Sequence, residues 1–274
     1  RFYILMEKIA ALCSDRILSQ NKEDVRTAIA EGICKPAQIE PLGNGIDITH
    51  FDRQRLDDHT LAKRRRALGI PVDSPVVGFV GRLVAEKGIL ELLAAARSII
   101  QQVPTVRFLM IGPSDQEKED ALTPQIAQDA NLADALVFTG HCPQPLMPEH
   151  YGLMDMLVLP SHREGFPRSL MEGSAMGIPC VATDIRGCRE AVQHDRNGIL
   201  VPLNDVPALA EAIVELLTHP EKARQMGRAG RQMAIEHFDE QQIFKRVLQT
   251  YQTLLLQKGL LVPQSNTLIR EGLS

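Results

Sequence analysis

The sequence predicts an α/β fold in which a parallel sheet is covered by helices on both faces. From Pro75 onward, short and continuously apolar segments alternate with segments of helical periodicity. This alternation is typical of a parallel sheet whose two faces are both buried. Hydrophobic residues make up 44% and charged residues 23% of the 274 residues, which excludes a disordered or fibrous chain. The length favours two domains.

The first 45 residues form a pattern of their own before this alternation begins. Apolar residues at helical spacing predict a helix from Phe2 to Cys13, and Gly43-Asn44-Gly45 predicts a turn and a domain boundary. Between them we expect a strand at 16–19, a helix at 22–31 and a strand at 39–42. The predicted parts are therefore residues 1–45, a main domain at 46–240, and a final helix and tail at 241–274.

The main domain is predicted to contain six strands and the helices that connect them. The strands are expected at 76–80, 106–111, 136–139, 156–159, 179–183 and 198–201. The connecting helices are expected at 89–102, 123–129, 146–153, 169–176 and 189–194. Three more helices are expected at 206–219, 221–237 and 241–258. The last has one apolar stripe, formed by Phe244, Val247, Leu248, Tyr251, Leu254 and Leu255.

Charge and cysteine content weigh against several classes of function. The net charge is −4, from 30 basic and 34 acidic residues, so we expect no nucleic-acid partner. The basic run Lys63-Arg64-Arg65-Arg66 lies near several aspartates, which favours the solvated face of a linker helix over an anionic membrane or RNA patch. No apolar run approaches the length of a membrane span. The five cysteines form no CxxC pair and follow no metal-ligand spacing, so we expect reduced thiols, a cytoplasmic location and no metal site.

Two segments that follow predicted strands carry the residues expected to do chemistry. Ligands of an open parallel sheet bind outside the carboxyl ends of the strands. The first segment runs from Gly81 to Gly88 and contains Arg82 and Lys87. The planar donor fork of arginine and the point charge of lysine suit a diphosphate. The alternative is a surface loop in which Glu86 pairs with a neighbouring residue.

The second segment, residues 160–172, leads from the fourth strand of the main domain into the start of a helix near Pro167 or Ser169. The main-chain amides and the dipole of such a helix form an anion site. Glu164 and Glu172 bracket that site, and we expect them to accept hydrogen bonds from sugar hydroxyls on either side of it. The alternative for Glu172 is that it only complements the positive end of the helix.

The loop after the third of these strands, Gly140-His141-Cys142-Pro143, is placed to border a base. We expect His141 to be structural or solvated rather than catalytic. The glycine motifs of dinucleotide-binding dehydrogenases and P-loop enzymes do not occur, and neither does the nucleophile elbow of serine hydrolases.

Taken in order, these motifs resemble the retaining family 4 glycosyltransferases of GT-B fold, over about residues 5–255. Each motif is common, but their order and spacing together are specific. The motifs are Asn44-Gly45-Ile46-Asp47, Gly81-Arg82-Leu83 with Lys87-Gly88, Phe138-Thr139-Gly140, Leu159-Pro160-Ser161, the pair Glu164 and Glu172, Pro179-Cys180-Val181-Ala182-Thr183-Asp184, and Asn197-Gly198-Ile199-Leu200-Val201-Pro202.

The resemblance implies a Rossmann-like domain that forms the C-terminal half of a GT-B fold, and it implies a role for each site residue. Arg82 and Lys87 would hold the donor diphosphate, Glu164 would contact the transferred sugar, and Glu172 would bind the ribose. The implied catalytic residues are Glu164, Arg82 and Lys87. The implied donor-binding residues are Gly81, Arg82, Lys87, Cys142, Glu164, Gly165, Phe166, Pro167, Ser169, Leu170 and Glu172.

The activity that the resemblance implies is sugar transfer, with retention, from a nucleoside-diphosphate sugar to an acceptor hydroxyl. A UDP-sugar is the expected donor from its frequency in the family, with neither metal nor cofactor. The implied acceptor is a saccharide or lipid-linked saccharide in polysaccharide or glycoconjugate assembly. This role would place the protein in the cytoplasm or in peripheral contact with the cytoplasmic face of the membrane.

The chain departs from the family at its N-terminal side, because only about 43 residues precede the Asn44-Gly45 hinge. They resemble the last part of the Rossmann-like acceptor domain of the family. The apolar stripes of the first and last helices would then lack a cover, so we expect self-association or a separate N-terminal domain. Two alternatives stay open on the sequence: a GT-B nucleotide-sugar epimerase, and a nucleotide-sugar-binding module without turnover.

Overall fold

The computed structural model describes residues 2–114, 125–129 and 131–260. It divides into two compact units, a terminal unit of Arg1–Gly43 with Glu240–Ser274, and a central unit of Asn44–Asp239. That residues 1–45 represent the last part of a larger domain stays a prediction.

Helices and strands alternate along most of the chain. The strands of the described residues are β1 (Ile17–Ser19), β2 (Ile39–Pro41), β3 (Val76–Val80), β4 (Arg107–Ile111), β5 (Leu136–Gly140), β6 (Met156–Leu159), β7 (Cys180–Thr183) and β8 (Gly198–Val201). The α-helices are α1 (Phe2–Leu12), α2 (Lys22–Ala30), α3 (Asp58–Ala67), α4 (Ile89–Gln102), α5 (Gln125–Asp129), α6 (Met147–Tyr151), α7 (Arg168–Ala175), α8 (Arg186–Ala191), α9 (Val206–Thr218), α10 (Pro220–His237) and α11 (Glu240–Gln257).

The central unit is built on a six-stranded parallel sheet with the strand order β5-β4-β3-β6-β7-β8. Every residue of β6 and of β7 is buried. Because successive side chains of a strand point to opposite faces, the sheet is covered on both sides. The predicted α/β sheet with helices on both faces is therefore confirmed.

The strand order reverses its direction between β3 and β6. Strands β4 and β5 follow one another on one side of β3. The chain then crosses to the other side of β3, where β6, β7 and β8 follow in order. Such a reversal leaves a crevice at the carboxyl ends of the two inner strands, which is where ligands of doubly wound sheets bind. The loops that leave β3 and β6 therefore occupy the position from which a ligand would be held.

Two of the predicted helices of the central unit have different bounds in the structure. The helix predicted at 189–194 is wrong in register, because α8 begins at Arg186 and ends at Ala191. Its first turn contains Gly187, where a Cβ atom would lie 2.4 Å from the main-chain oxygen of Glu164. Glycine is required there by the close approach. Because glycine has a low helix propensity, the sequence pattern does not show that the helix begins before it. The helix predicted at 146–153 is shorter, at Met147–Tyr151, and a 3-10 turn precedes it.

Parts of two further predictions fall outside the described residues. The helix predicted at 123–129 is described only over Gln125–Asp129. The tail predicted after Gly259 is described only at Leu260.

The basic run predicted on a linker helix lies on α3, and two of its arginines bind within the central unit. Arg64 donates hydrogen bonds from Nε (2.9 Å) and Nη2 (2.7 Å) to Oε2 of Glu149 on α6. Arg65 donates to the main-chain oxygens of Pro71 and Ser74. Lys63 and Arg66 are exposed to solvent. Arg64 and Arg65 thus bind α3 to neighbouring segments, while Lys63 and Arg66 contribute positive charge to its surface.

Arg231 on α10 fixes the segment that follows Asn44. Its Nη1 donates to the main-chain oxygens of Ile48 (3.1 Å), Phe51 (2.9 Å) and Ala175 (2.8 Å), and its Nη2 contacts Asp52 at 3.0 Å. One guanidinium therefore joins this segment to the end of α7. The buried Phe51 belongs to this segment.

The terminal unit pairs β1 with β2 in parallel and carries exposed apolar side chains on its first and last helices. The single stripe predicted on α11 is divided, because Val247, Leu254 and Leu255 are half-buried. The exposed fractions are 69% for Phe2, 56% for Leu5, 54% for Phe244, 60% for Leu248 and 63% for Tyr251. Among the described residues, no helix combines the length and apolarity needed to cross a membrane.

Candidate functional site

The loops that leave β3 and β6 touch through their main chains. Gly88 ends the first loop with a left-handed φ of 72°, and a Cβ atom there would lie 1.9 Å from the main-chain oxygen of Pro160. The N–H of His162 donates to the main-chain oxygen of Glu86 at 2.9 Å. Only glycine allows both this conformation and this approach. The two predicted segments of the site are thereby brought together at the switch point of the sheet.

Lys87 and Glu164 form an ion pair across these loops. The Lys87 Nζ lies 2.6 Å from Oε1 of Glu164, and the side chains are only 17% and 11% exposed. The hydroxyl of the fully buried Ser161 donates to the same oxygen at 2.8 Å. Oε2 of Glu164 accepts no hydrogen bond from the described residues. One oxygen of Glu164 is thus held in place while the other keeps its full accepting capacity.

Arg82 lies in the same loop as Lys87, five residues before it, and is half-buried. The N–H of the preceding Gly81 donates to the main-chain oxygen of Ile111 at 2.9 Å. That bond extends the β3–β4 pairing one residue beyond the strand and fixes where the loop leaves the sheet. The structure therefore places both predicted cations at the carboxyl end of β3.

Helix α7 begins beside Glu164, with Pro167 as its N-cap residue in extended conformation. The sequence predicted this start within one residue. The amides of a first helical turn have no acceptor within the helix, and they are directed away from it toward the preceding loop. Of the predicted loop residues, the side chains of Phe166 and Leu170 point into the protein. Phe166 packs edge-on against Phe238 with ring centroids 5.7 Å apart, and Leu170 is fully buried. Only the main chains of these two residues are placed to face a ligand.

Glu172 is buried one turn inside α7 and is bound by a neutral partner. The hydroxyl of Tyr151 donates to Oε2 at 2.8 Å. Oε1 is 3.5 Å from Nε2 of Gln144 and 3.7 Å from Nε of Arg168. Burial raises the pKa of Glu172 above its ordinary value, while the hydrogen bond from Tyr151 and the positive charge of Arg168 oppose that rise. The pKa of Tyr151 is raised well above its ordinary value by burial and by the charge of Glu172, so Tyr151 keeps its proton.

The loop after β5 reaches the site through Gln144 rather than through the predicted Cys142. The Sγ atom of Cys142 lies 3.3 Å from Nδ1 of His150 on α6, and burial raises the pKa of the thiol. His141 is exposed. Cys142 is therefore not brought into contact with Glu164, Lys87 or Glu172.

Three residues of the site were not predicted as site residues: Ser161, Tyr151 and Gln144. Ser161 follows a strand and could have been found by the rule that located Glu164. Tyr151 is the last residue of a short helix of mixed composition and gave no signal. Gln144 is a common residue in a proline-rich loop and gave none either.

Charged groups of both signs alternate around the switch point. In the described contacts Lys87 lies beside Glu164, Arg163 is 3.1 Å from Glu86, and Arg168 lies beside Glu172. The described residues contain no group of three or more His, Cys, Asp or Glu side chains that could hold a metal ion. This arrangement is suited to a ligand that carries both anionic groups and hydroxyls.

Comparison with known proteins identifies similar chains along most of this sequence. Residues 62–233 match the family model described as "Glycosyl transferases group 1". The chain is 30% identical over 259 residues to the capsular polysaccharide biosynthesis glycosyltransferase CapM of Staphylococcus aureus, covering 92% of this chain and 65% of the relative. It is 30% identical over 216 residues to the UDP-Gal:alpha-D-GlcNAc-diphosphoundecaprenol alpha-1,3-galactosyltransferase of Escherichia coli, covering 78% of this chain and 54% of that relative. The chain thus spans between about half and two thirds of the length of these two relatives.

Solved structures share the fold. Sucrose-phosphate synthase from Thermosynechococcus elongatus superposes with a TM-score of 0.80 at 28% identity, over 93% of this chain and 62% of that one. A glycosyltransferase from Rickettsia africae superposes with a TM-score of 0.81 at 21% identity, over 88% of this chain and 64% of that one. At that lower identity the likeness concerns the fold alone.

The main-chain approach at Gly88 predicts an effect on stability. We expect Gly88→Ala to reduce the free energy of unfolding more than Gly69→Ala does, by at least about 2 kcal/mol. Gly69 has a similar left-handed φ of 66°, but nothing lies within 4 Å of the position of its Cβ. Gly69→Ala is therefore a matched control that carries only the strain of the left-handed conformation, about 1–2 kcal/mol. Urea unfolding of both variants measures the difference, and equal losses would contradict the steric argument.

Proposed function

Because this chain belongs to the family of group 1 glycosyl transferases, we propose that it holds a nucleoside-diphosphate sugar at the β3–β6 switch point as the donor-binding part of a glycosyltransferase. The observation that carries this proposal is the Lys87–Glu164 pair beside the start of α7, with the buried Glu172 eight residues beyond Glu164. Cations, helix amides and two separately held carboxylates match a ligand that contains a diphosphate between two sugars.

The diphosphate is proposed to bind Arg82, Lys87 and the amides at the start of α7. Charge-assisted hydrogen bonds to phosphate are among the strongest available in a protein. A diphosphate that approaches Lys87 replaces the carboxylate of Glu164 as the partner of that ammonium group. Glu164 is then available to accept hydrogen bonds from the hydroxyls of the transferred sugar. On the other side of the diphosphate, Glu172 accepts from the ribose, and the loop after β5 borders the base.

The reaction we propose breaks the bond between the anomeric carbon and the diphosphate oxygen, and forms a bond between that carbon and the acceptor oxygen. The proton of the acceptor hydroxyl passes to the departing diphosphate. Negative charge develops on the departing diphosphate. Arg82, Lys87 and the amides of α7 are fixed before the reaction and stabilise that charge without a metal ion. We include retention of the anomeric configuration in this proposal because the sequence resembles the retaining family 4 glycosyltransferases.

A UDP-sugar and a saccharide or lipid-linked saccharide are the proposed donor and acceptor. The name of the E. coli relative gives UDP-Gal as its donor and a diphosphoundecaprenol-linked sugar as its acceptor. The S. aureus relative is named for capsular polysaccharide biosynthesis. We therefore propose a role in polysaccharide or glycoconjugate assembly, in peripheral contact with the cytoplasmic face of the membrane. Membership in a transferase family favours this activity over that of an epimerase.

The proposal predicts nucleotide binding without a metal ion. In calorimetric titrations in the presence of EDTA, we expect UDP to bind, and we expect it to bind more tightly than GDP or ADP. If none of the three diphosphates binds, the proposed function is wrong. If GDP or ADP binds more tightly than UDP, the choice of base is wrong and the donor class is retained.

Two substitutions are expected to weaken donor binding by different routes. Arg82→Ala removes charge-assisted hydrogen bonds to phosphate, at a cost of about 1.5–3 kcal/mol, or roughly 10- to 150-fold in the Kd of UDP. Glu172→Gln should weaken the binding of UDP and leave the binding of inorganic diphosphate unchanged, because the proposed partner of Glu172 is the ribose. Arg224→Ala is the control, since Arg224 is exposed and pairs with Glu221 on α10. Equal losses of UDP and diphosphate affinity in Glu172→Gln would contradict its assignment to the ribose.

We also propose that the exposed apolar faces of α1 and α11 are covered by a second copy of the chain or by a separate N-terminal domain, and self-association is the alternative that light scattering tests. Large exposed apolar patches usually bind a partner, and each Å² removed from water contributes about 25 cal/mol. Light scattering is expected to give a mass above the 30.4 kDa of one chain, and Leu248→Glu should lower it. Gln252→Glu, an exposed position on the same helix, is the matched control for the added charge. A monomer at all concentrations would refute this association.

A further inference from the structure

Tyr151 contacts Glu172 from a position that leaves its hydroxyl little freedom. The phenol ring is fully buried and packs edge-on against Phe51, with ring centroids 5.8 Å apart and planes at 82°. Phe51 is itself buried in the segment that Arg231 binds. The single proton of the hydroxyl has two acceptors within reach, Oε2 of Glu172 at 2.8 Å and the main-chain oxygen of Ser169 at 3.4 Å. The shorter contact, to Oε2 of Glu172, is the stronger one.

The two oxygens of Glu172 are therefore unequal. Oε2 is occupied at a short distance by a fixed neutral donor. Among the residues that the structure describes, the donors near Oε1 are the Gln144 amide at 3.5 Å and the Arg168 guanidinium at 3.7 Å, and both distances lie at or beyond the limit of a hydrogen bond. Both side chains are also long and come from outside the core. Oε1 is consequently the oxygen that can take new donors without loss of an existing strong bond.

We propose that Tyr151 is a positioning residue, which holds Glu172 by Oε2 so that Oε1 faces the ribose hydroxyls of the nucleotide and makes the site selective for ribonucleotides. This inference rests on the proposed function, because it assumes that a nucleotide occupies the switch point. It adds that the recognition of the ribose depends on a buried phenol that does not touch the ligand.

The hydrogen bond from this neutral donor also opposes the effect of burial on the pKa of Glu172. The groups that face its carboxylate are Tyr151 from α6, Gln144 from the turn before α6, and Arg168 from α7 itself. Burial raises its pKa, and the Tyr151 hydrogen bond lowers it. Accepting from the ribose requires the ionised form, so the ribose-dependent affinity is present above this pKa and is lost as the pH falls through it. Without the hydroxyl of Tyr151 the pKa rises further, and the loss occurs at higher pH.

The test compares UDP with 2′,3′-dideoxy-UDP, which lacks both ribose hydroxyls, by calorimetry over a range of pH. In Tyr151→Phe we expect UDP to bind about tenfold more weakly, with the affinity for the dideoxy nucleotide unchanged. We also expect the loss of UDP affinity on acidification to begin at a higher pH than in the unmodified protein. In a Glu172→Gln background, Tyr151→Phe should have no further effect on UDP. Tyr251→Phe, which removes an exposed hydroxyl on α11, is the control.

Two outcomes would overturn the inference while leaving the proposed function intact. They are an unchanged UDP affinity in Tyr151→Phe, and equal losses for UDP and the dideoxy nucleotide. Failure of the unmodified protein to bind either nucleotide would refute the proposed function and this inference together.

Replacement of all three tyrosines by 3-fluorotyrosine tests the same bond without removal of any side chain. The more acidic phenol donates a stronger hydrogen bond. The UDP-specific loss of affinity should then move to lower pH, opposite to its direction in Tyr151→Phe. A shift in the same direction as in Tyr151→Phe, or no shift, would contradict the inference even if the Tyr151→Phe variant failed to fold.

Discussion

The close approach of two main chains at the switch point of the sheet is the constraint on which the site depends. Gly88 lies against the carbonyl of Pro160, and Gly187 lies against the carbonyl of Glu164. A Cβ atom at either glycine would push the loops apart. The 2.6 Å contact between Lys87 and Glu164 requires that the loops stay this close. The position of the charged groups is therefore set by residues that have no side chain of their own.

The described contacts also show how the charges of the site are paired. Lys87, Arg163 and Arg168 each lie beside a carboxylate. A purely anionic ligand would gain a cation but leave a partly buried carboxylate unpaired, which is costly. A ligand that also carries hydroxyls supplies donors to the carboxylates that it separates from their cations. The balance of charges thus favours a phosphorylated sugar over a simple anion, which is the physical basis for the donor class proposed above.

The sequence predicted the strands and the carboxyl-edge location of the site, and it missed the contacts that orient the side chains. The apolar runs of β3 and β6 are local signals, and the loops that follow them are found by position alone. The Tyr151–Glu172 bond joins residues 21 positions apart, and Arg231 binds main-chain oxygens about 180 positions away. Glu172 was predicted from its place after β6, but Tyr151 and Arg231 do not differ in the sequence from ordinary core or surface residues. The register of α8 was missed for a related reason. Gly187 is required by its contact with the carbonyl of Glu164, which is distant in sequence, although glycine is unfavourable in a helix.

Glu164 and Glu172 are the same type of residue, and the structure holds them by different chemistry. The partner of Glu164 is a cation, which a bound diphosphate would draw away. The strongest partner of Glu172 is a phenol, which has no charge for a phosphate to attract. A lysine in place of Tyr151 would compensate the carboxylate more fully, but it would also compete with the ligand's hydroxyls and respond to the nearby diphosphate. A neutral, buried donor keeps Glu172 oriented and opposes the rise of its pKa on burial, whether or not the phosphate region is occupied. One carboxylate is therefore able to change partners on binding, while the other keeps its strongest partner throughout.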